Sequence, residues 1–280
     1  MILELALMWA ALLVYAAGTA MFTIGVIFFK DKLTQRALYV SAVGLAAQTA
    51  SLAVRWVDLG HGPYLGFYEV ASALVLFTVA SFVVVAFRNP RMIAAGIGIM
   101  PVAVVLQGGS MLGSKSVVPI TAKLASLWLF VHVAFANLAF GALVLSFGCA
   151  VVYLTREHSS KGLWVKRFEK LPGQEVLDSL TTRYVLVGFL FWGIMIVTGA
   201  IWANEAWGRY WSWDPIETWC LIVWIIYAIF LHLRFTLGWR GERLAWFALV
   251  AMPVSLFALV GIPWAFGSPH AGIGGMGRDV

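Results

Sequence analysis

Eight apolar stretches, separated by short polar connections, account for most of this 280-residue sequence. An α-helix rises 1.5 Å per residue, so about 20 apolar residues cross the roughly 30 Å hydrocarbon layer of a bilayer. The stretches lie at approximately 3–29, 37–56, 67–87, 92–107, 124–154, 182–202, 218–237 and 245–266. Charged residues make up only 11 % of the chain, against about 25 % in soluble domains. We therefore predict an all-α polytopic membrane protein with about eight transmembrane helices, forming a single domain over residues 1–280.

The basic residues are distributed unevenly between the two sets of connections. Of the nineteen Lys and Arg residues, fourteen lie in or beside the connections that follow the first, third, fifth and seventh stretches. The positive-inside rule places those connections in the cytoplasm, including the basic segment 155–181. Both termini and the segment 203–217 are then predicted to lie outside. The net charge of +6 requires no nucleic-acid partner, because anionic lipid beside the cytoplasmic connections accounts for it.

The connection between the sixth and seventh stretches is rich in tryptophan. Residues 202–219 contain five Trp residues together with Glu205, Asp214 and Glu217. An aromatic belt at the membrane interface is one interpretation, but a belt spreads Trp and Tyr over many helix ends. Their concentration on one connection favours a platform for a large flat ligand. Asp214 precedes Pro215, so its carboxylate either caps the following helix or contacts the ligand.

Three of the five histidines are candidate ligands of a metal. His132 lies in the fifth stretch, towards its outer end, and His270 follows the last stretch. Both are predicted on the same side as the tryptophan-rich connection, and two imidazoles across an aromatic shelf suit a bis-histidine heme site. His232 lies in the seventh stretch, about 21 Å from the outer surface of the membrane. An ionisable residue at that depth is a functional candidate by default. Since Arg234 is close, an interfacial polar residue is the alternative for His232.

The remaining candidates carry weaker signals. His61 lies in an outer connection and is either a polar loop residue or a functional one, whereas His158 is predicted to be solvated. Cys149 and Cys220 both fall in apolar stretches and are interpreted as small core residues. Zinc is disfavoured because no third or fourth ligand occurs at a local spacing. The sequence contains no Cys-x-x-Cys-His, so the chain does not attach heme c to itself.

The tryptophan-rich string closely resembles the WWD signature of the CcsA/ResC cytochrome c synthesis proteins of the System II pathway. It reads Trp-Ala-Asn-Glu-Ala-Trp-Gly-x-Tyr-Trp-x-Trp-Asp-Pro-x-Glu-Thr-Trp over residues 202–219. Further similarity lies in Gly60-His61-x-Pro63, in Trp128-x-x-x-His132, in Leu231-His232-x-Arg234 and in His270 after the final stretch. The resemblance covers most of the chain from about residue 55 to residue 272.

The resemblance implies a cytochrome c synthase and heme channel in the bacterial cytoplasmic membrane, with its functional face on the periplasmic side. Heme from the cytoplasm would bind His232 within the membrane, and a CcsB/ResB-type partner would give the second ligand. At the external WWD site, heme b would be held non-covalently with His132 and His270 as axial ligands of the iron. The other residues implied to hold this heme are Trp202, Trp207, Trp211, Trp213, Asp214 and Trp219. The Cys-x-x-Cys-His thiols of an apocytochrome c would then add to the heme vinyl groups.

Two other classes of function remain open from the sequence. A heme exporter or heme chaperone would bind heme in the same way but form no thioether bonds. A secondary transporter of a small solute would show inverted repeats and unwound helices near the membrane midplane. Neither feature is visible in the sequence. Formation of a covalent product with an apocytochrome separates a synthase from an exporter or chaperone.

Overall fold

The structure is a computed structural model that describes residues 2–62, 64–115, 124–158 and 171–262. These residues form eight long helices, which confirms the predicted all-α polytopic membrane architecture. The helices are α1 (Ile2–Ile27), α2 (Asp31–Leu59), α3 (Phe67–Arg88), α4 (Gly96–Leu112), α5 (Leu127–His158), α6 (Gln174–Trp207), α7 (Pro215–Phe235) and α8 (Glu242–Leu256). A 3₁₀ segment, Pro90–Ala95, leads into α4, and a π-helical turn, Phe257–Gly261, continues α8.

Several helices are longer than the apolar stretches that predicted them. Helix α6 begins at Gln174 and ends at Trp207, whereas its stretch covers only residues 182–202. The segment 155–181 is therefore helical at both of its described ends, since α5 continues to His158. Residues 159–170 of that segment lie outside the described residues. The helices are longer because the run of apolar residues stops at the boundary of the hydrocarbon layer, whereas the helical hydrogen bonds of the backbone continue into the polar turns beyond it.

Consecutive helices alternate in direction, so the connections collect at two ends of the bundle. The site end holds the connections 60–66 and 208–214 together with the start of α1. The basic end holds the turns at 28–30, 89 and 236–241. Helix α5 packs along α6 and also against α3 and α8, whereas α1 packs along α2 and against α4. Helix α5 is thus the central element against which the other helices are positioned.

A chain of polar side chains joins the first four helices. The Tyr15 hydroxyl donates to Gln48 Oε1 at 2.7 Å, and Gln48 Nε2 donates to Gln107 Oε1 at 2.7 Å. Nearer the site end, Arg55 forms buried ion pairs with Glu4 (3.1 Å) and Glu69 (2.8 Å). Breaking such a pair would leave an uncompensated buried charge, so these contacts fix how α1, α2 and α3 pack together.

Candidate functional site

A cavity opens at the site end between α3, α5, α6, α7 and the connection 208–214. It encloses about 140 Å³ and is lined mainly by apolar side chains. The polar and aromatic members of its lining are His132, Asn137, Trp202, Tyr210, Trp211 and Glu217. His132 and two of the six predicted tryptophan and aspartate site residues, Trp202 and Trp211, therefore line the cavity. The other four, Trp207, Trp213, Asp214 and Trp219, do not.

His132 lies in the second turn of α5, and a backbone carbonyl of α6 determines its orientation. Its Nδ1 lies 2.8 Å from the carbonyl oxygen of Met195. Because a carbonyl only accepts, Nδ1 carries the proton and donates, and the neutral ring then carries its lone pair on Nε2. The same arrangement holds most metal-binding imidazoles in one tautomer. The ring also stacks on Trp202, at 6.5 Å between centroids and 22° between planes.

Gly199 makes this close approach of α5 and α6 possible. A Cβ at that position would lie 2.6 Å from Nδ1 of His132 and 2.8 Å from its Cε1. Neither Met195 nor Gly199 was among the predicted site residues. The sequence signal that could have found them is their spacing from Trp202. Intervals of three and four residues place on one face of a helix Met195, Gly199, Trp202 and Ala203.

We expect Gly199→Ala to displace the His132 ring and break its hydrogen bond with Met195. Overpacking of this kind typically costs about 1–3 kcal/mol, and here the cost falls on one imidazole. If His132 binds heme iron, as the family resemblance implies, the absorption spectrum of the heme-loaded protein should lose a low-spin, six-coordinate signature. The matched control is Gly109→Ala in α4, where a Cβ meets nothing within 4 Å. An unchanged spectrum in Gly199→Ala would contradict the expectation.

The tryptophans of the WWD string form two edge-to-face pairs. Trp202 is buried and contacts Trp207 at 4.9 Å between centroids. Trp202 belongs to a small apolar cluster with Leu65, and Trp207 packs against that cluster. Trp211 and Trp213 form the second pair at 5.7 Å. Trp213 is 69 % exposed. The string therefore presents one aromatic surface packed into the protein and a second that projects from it.

Two carboxylates hold the connection that carries the second pair. Asp214 Oδ1 accepts from the Glu217 amide at 2.9 Å, so Asp214 caps α7, as the sequence allowed. Glu217 in turn accepts from the Ser212 amide at 2.7 Å. Trp213, between them, has a φ of 58°, a left-handed conformation that is rare for a bulky residue. The reciprocal hydrogen bonds maintain this conformation, which directs the Trp213 ring outwards.

The remaining predicted site residues lie elsewhere. Trp219 packs edge-on against Phe257 of the π-helical turn that follows α8, at 5.0 Å between ring centroids, and does not line the cavity. His232 is exposed near the end of α7, roughly 26 Å along the helix from Pro215. His270 lies outside the described residues. The site thus brings together His132, Trp202 and Trp211 and leaves His232 at the opposite end of the bundle.

The cysteines and acidic residues add little metal-binding capacity. Cys149 and Cys220 are both buried free thiols, and Cys220 also lines the cavity. Within the described ranges, no group of three or more His, Cys, Asp or Glu side chains is arranged to hold a metal ion.

The profile of the family described as "Cytochrome C assembly protein" matches residues 64–270. The chain belongs to this family. A cytochrome c biogenesis protein CcsA of Synechococcus sp. (strain CC9605) is 34 % identical over 242 residues, covering 76 % of this chain and 79 % of the relative. The CcsA of Guillardia theta is 32 % identical over 261 residues, covering 85 % and 86 %. These relatives confirm the resemblance to CcsA on which the sequence interpretation rests.

A solved structure shares the fold of this family member. The "Cytochrome c Heme Lyase CcmF" superposes on 97 % of this chain with a TM-score of 0.65 and 19 % sequence identity. The chain spans about half of that protein, 48 % of its length. At this identity the likeness shows that the helical arrangement is shared, and it leaves substrate and chemistry to be argued from the residues.

Proposed function

We propose that the chain works in cytochrome c assembly by holding heme at the site end and presenting it for thioether attachment to apocytochrome c. The observation that carries the proposal is His132, whose Nδ1 bonds Met195 and whose ring stacks on Trp202 beside the cavity. A preset imidazole on an aromatic wall suits an iron porphyrin. The family and its CcsA relatives support the general role.

Heme would extend beyond the cavity rather than be enclosed by it. The enclosed 140 Å³ is below the roughly 300–1,000 Å³ of pockets that bury a whole ligand. Tyr210 and Trp213 are exposed beside the cavity, so they would support the part of the ring that projects. A substrate that must react with a protein partner needs such an open edge, because the vinyl groups have to remain reachable.

The second axial ligand at this site would be His270, whose placement rests on the family resemblance. A Cys-x-x-Cys-His segment of apocytochrome c would supply both thiols and a histidine that replaces one protein ligand. The chain then needs no nucleophile of its own. Its contribution is to orient the porphyrin and exclude water, which the packed pair Trp202 and Trp207 suits.

A second heme position would lie at the basic end, at His232. Exposed isoleucines, Ile222, Ile225 and Ile229, precede it on the same side of α7. An imidazole on an otherwise apolar exposed face is costly against lipid. A CcsB/ResB-type partner covering this face would remove that cost and supply the opposite ligand, so we propose that the chain acts as a synthase only with such a partner. The site end would face the periplasm, and the basic end the cytoplasm.

The test is a covalent-product assay with the purified chain and its partner. The preparation should carry heme b that acid–acetone extracts, with a low-spin reduced spectrum. Adding reduced apocytochrome c should convert that heme to a form that stays with the cytochrome after extraction. Extractable heme without covalent product would favour the exporter or chaperone alternative. A colourless preparation from heme-replete cells would contradict both.

A further inference from the structure

His61, in the connection between α2 and α3, is almost fully buried although it carries two polar nitrogens. Its exposed fraction is 6 %. Nδ1 lies 2.8 Å from the carbonyl oxygen of Gly62, so Nδ1 donates and Nε2 carries the lone pair in the neutral ring. Nε2 has no hydrogen-bond partner in the described part of the chain. A buried acceptor without a donor lowers the stability of the fold. Nε2 is therefore a candidate to accept a proton or a hydrogen bond from a group that binds here.

Buried ion pairs hold the connection that carries His61. Glu69 Oε2 accepts from the amides of Leu65 (3.0 Å) and Gly66 (3.4 Å). Glu69 Oε1 accepts from Arg55 Nε at 2.8 Å, and Arg55 also pairs with Glu4. One carboxylate thus joins the backbone of the loop to the ion pairs of α1 and α2. The imidazole is therefore presented from a rigid loop rather than a mobile one.

This loop forms part of the wall around the candidate heme site. The Tyr64 ring contacts His61 at 6.2 Å and Phe130 of α5 at 6.4 Å, both between centroids. Leu65 belongs to the same apolar cluster as Trp202, and Tyr64 and Trp207 pack against that cluster. Val70, in the first turns of the following helix, lines the cavity itself. His61 therefore lies beside this cluster, next to Tyr64 and outside the cavity lining. His132 belongs to α5 and contacts α6 through Met195.

We propose that His61 is the general base that takes the proton from a cysteine thiol of the incoming apocytochrome. This role deepens the proposed function and rests on it. The thiol proton moves to Nε2, the sulfur forms its bond to the inner carbon of a heme vinyl group, and the vinyl π bond is broken. The imidazolium then returns the proton to the terminal vinyl carbon. The sum is addition of S–H across C=C, with no net oxidation or reduction and no further reactant.

The other ionisable groups around the loop are poorly suited to this task. Arg55 is engaged by both Glu4 and Glu69 in the buried ion pairs, and Glu69 also accepts from the amides of Leu65 and Gly66. The Lys115 ammonium donates to the carbonyls of Met111 and Gly113. Asp58, in the last turn of α2, is exposed. Thiols ordinarily have a pKa of about 8.5, so a neutral imidazole acceptor matters most near neutral pH.

The test compares His61→Asn with the wild-type protein in the covalent-product assay. An Asn amide can still donate to the Gly62 carbonyl but has no atom in the place of Nε2. We expect normal heme content and spectrum but a thioether-forming rate about 100-fold lower at pH 7. At about pH 9 the rate should recover most of the way to wild type, because the substrate thiol then ionises without a base. His61→Phe, which fills the volume, should show the same profile.

Leu65→Ala provides the matched structural control on the same loop. It should lower heme occupancy, while the heme that remains reacts with the wild-type pH dependence. A wild-type rate and pH profile in His61→Asn would overturn the role of His61 and leave the proposed function standing. Loss of heme in parallel with product in both His61 variants would also overturn it, because His61 would then be structural. A wild-type protein that forms no thioether overturns the proposed function and this role together.

Discussion

His132→Ala should nearly abolish cytochrome c formation while leaving the helical fold intact. The ring is half-buried at the edge of the core, and its removal opens a space that already borders the cavity. Loss of a supporting hydrogen bond alone typically costs a metal site about 10–100-fold, so loss of the ligand should cost at least about 100-fold. The measurement is holocytochrome c output together with the heme spectrum at the site end. Added imidazole should restore part of both, because it can occupy the open axial position.

The matched control is Leu138→Ala, a partly exposed apolar residue on the same helix. It should leave the heme spectrum and the cytochrome output close to wild type. His132→Ala with full output would contradict the assignment of this residue as a ligand. Loss of output that imidazole does not relieve, with normal heme content, would point to a role in binding the apocytochrome instead.

The helices were predictable because crossing a bilayer imposes a length and a composition that few other structures share. The Asp214 cap was predictable for a similar reason, since Asp-Pro before an apolar run is a local signal. The hydrogen bond between His132 and Met195 was not, because it joins residues 63 positions apart. It depends on the register of α5 against α6, which Gly199 permits and which no local pattern encodes.

The surroundings of a charged residue were also not predictable from its position in the sequence. Arg55 counts as an outer-side basic residue when connections are compared, yet in the structure it is buried between Glu4 and Glu69. A hydropathy scale assigns each charged residue its own free-energy cost of burial, whatever its neighbours are. Neutralisation by partners on other helices can be seen only once those helices are packed. The same packing buries His61, which the sequence left as either a loop residue or a functional one.

The second large effect concerns the direction of heme movement and is tested at His232. This residue lies near the end of α7 at the basic end, whereas His132 and Trp211 lie at the site end. If heme passes from the position at His232 to the site end, His232→Ala acts upstream and should deplete heme at both positions. Trp211→Ala acts downstream and should deplete only the site end, so that heme accumulates at His232. Imidazole should refill both positions in His232→Ala.

The measurement is heme per protein in the complex with the proposed CcsB/ResB-type partner, with resonance Raman spectra separating the two positions. The matched control is Val84→Ala, which removes an exposed apolar side chain of α3 rather than of the α7 face and should leave both positions occupied. A His232→Ala complex with a normally filled site end, from cells given no external heme, would overturn passage from the basic end. Heme would then reach His132 laterally from the bilayer. In that case the site end would still be expected to perform the thioether chemistry, because His132, Trp202 and Glu217 line the cavity independently of α7's distant end.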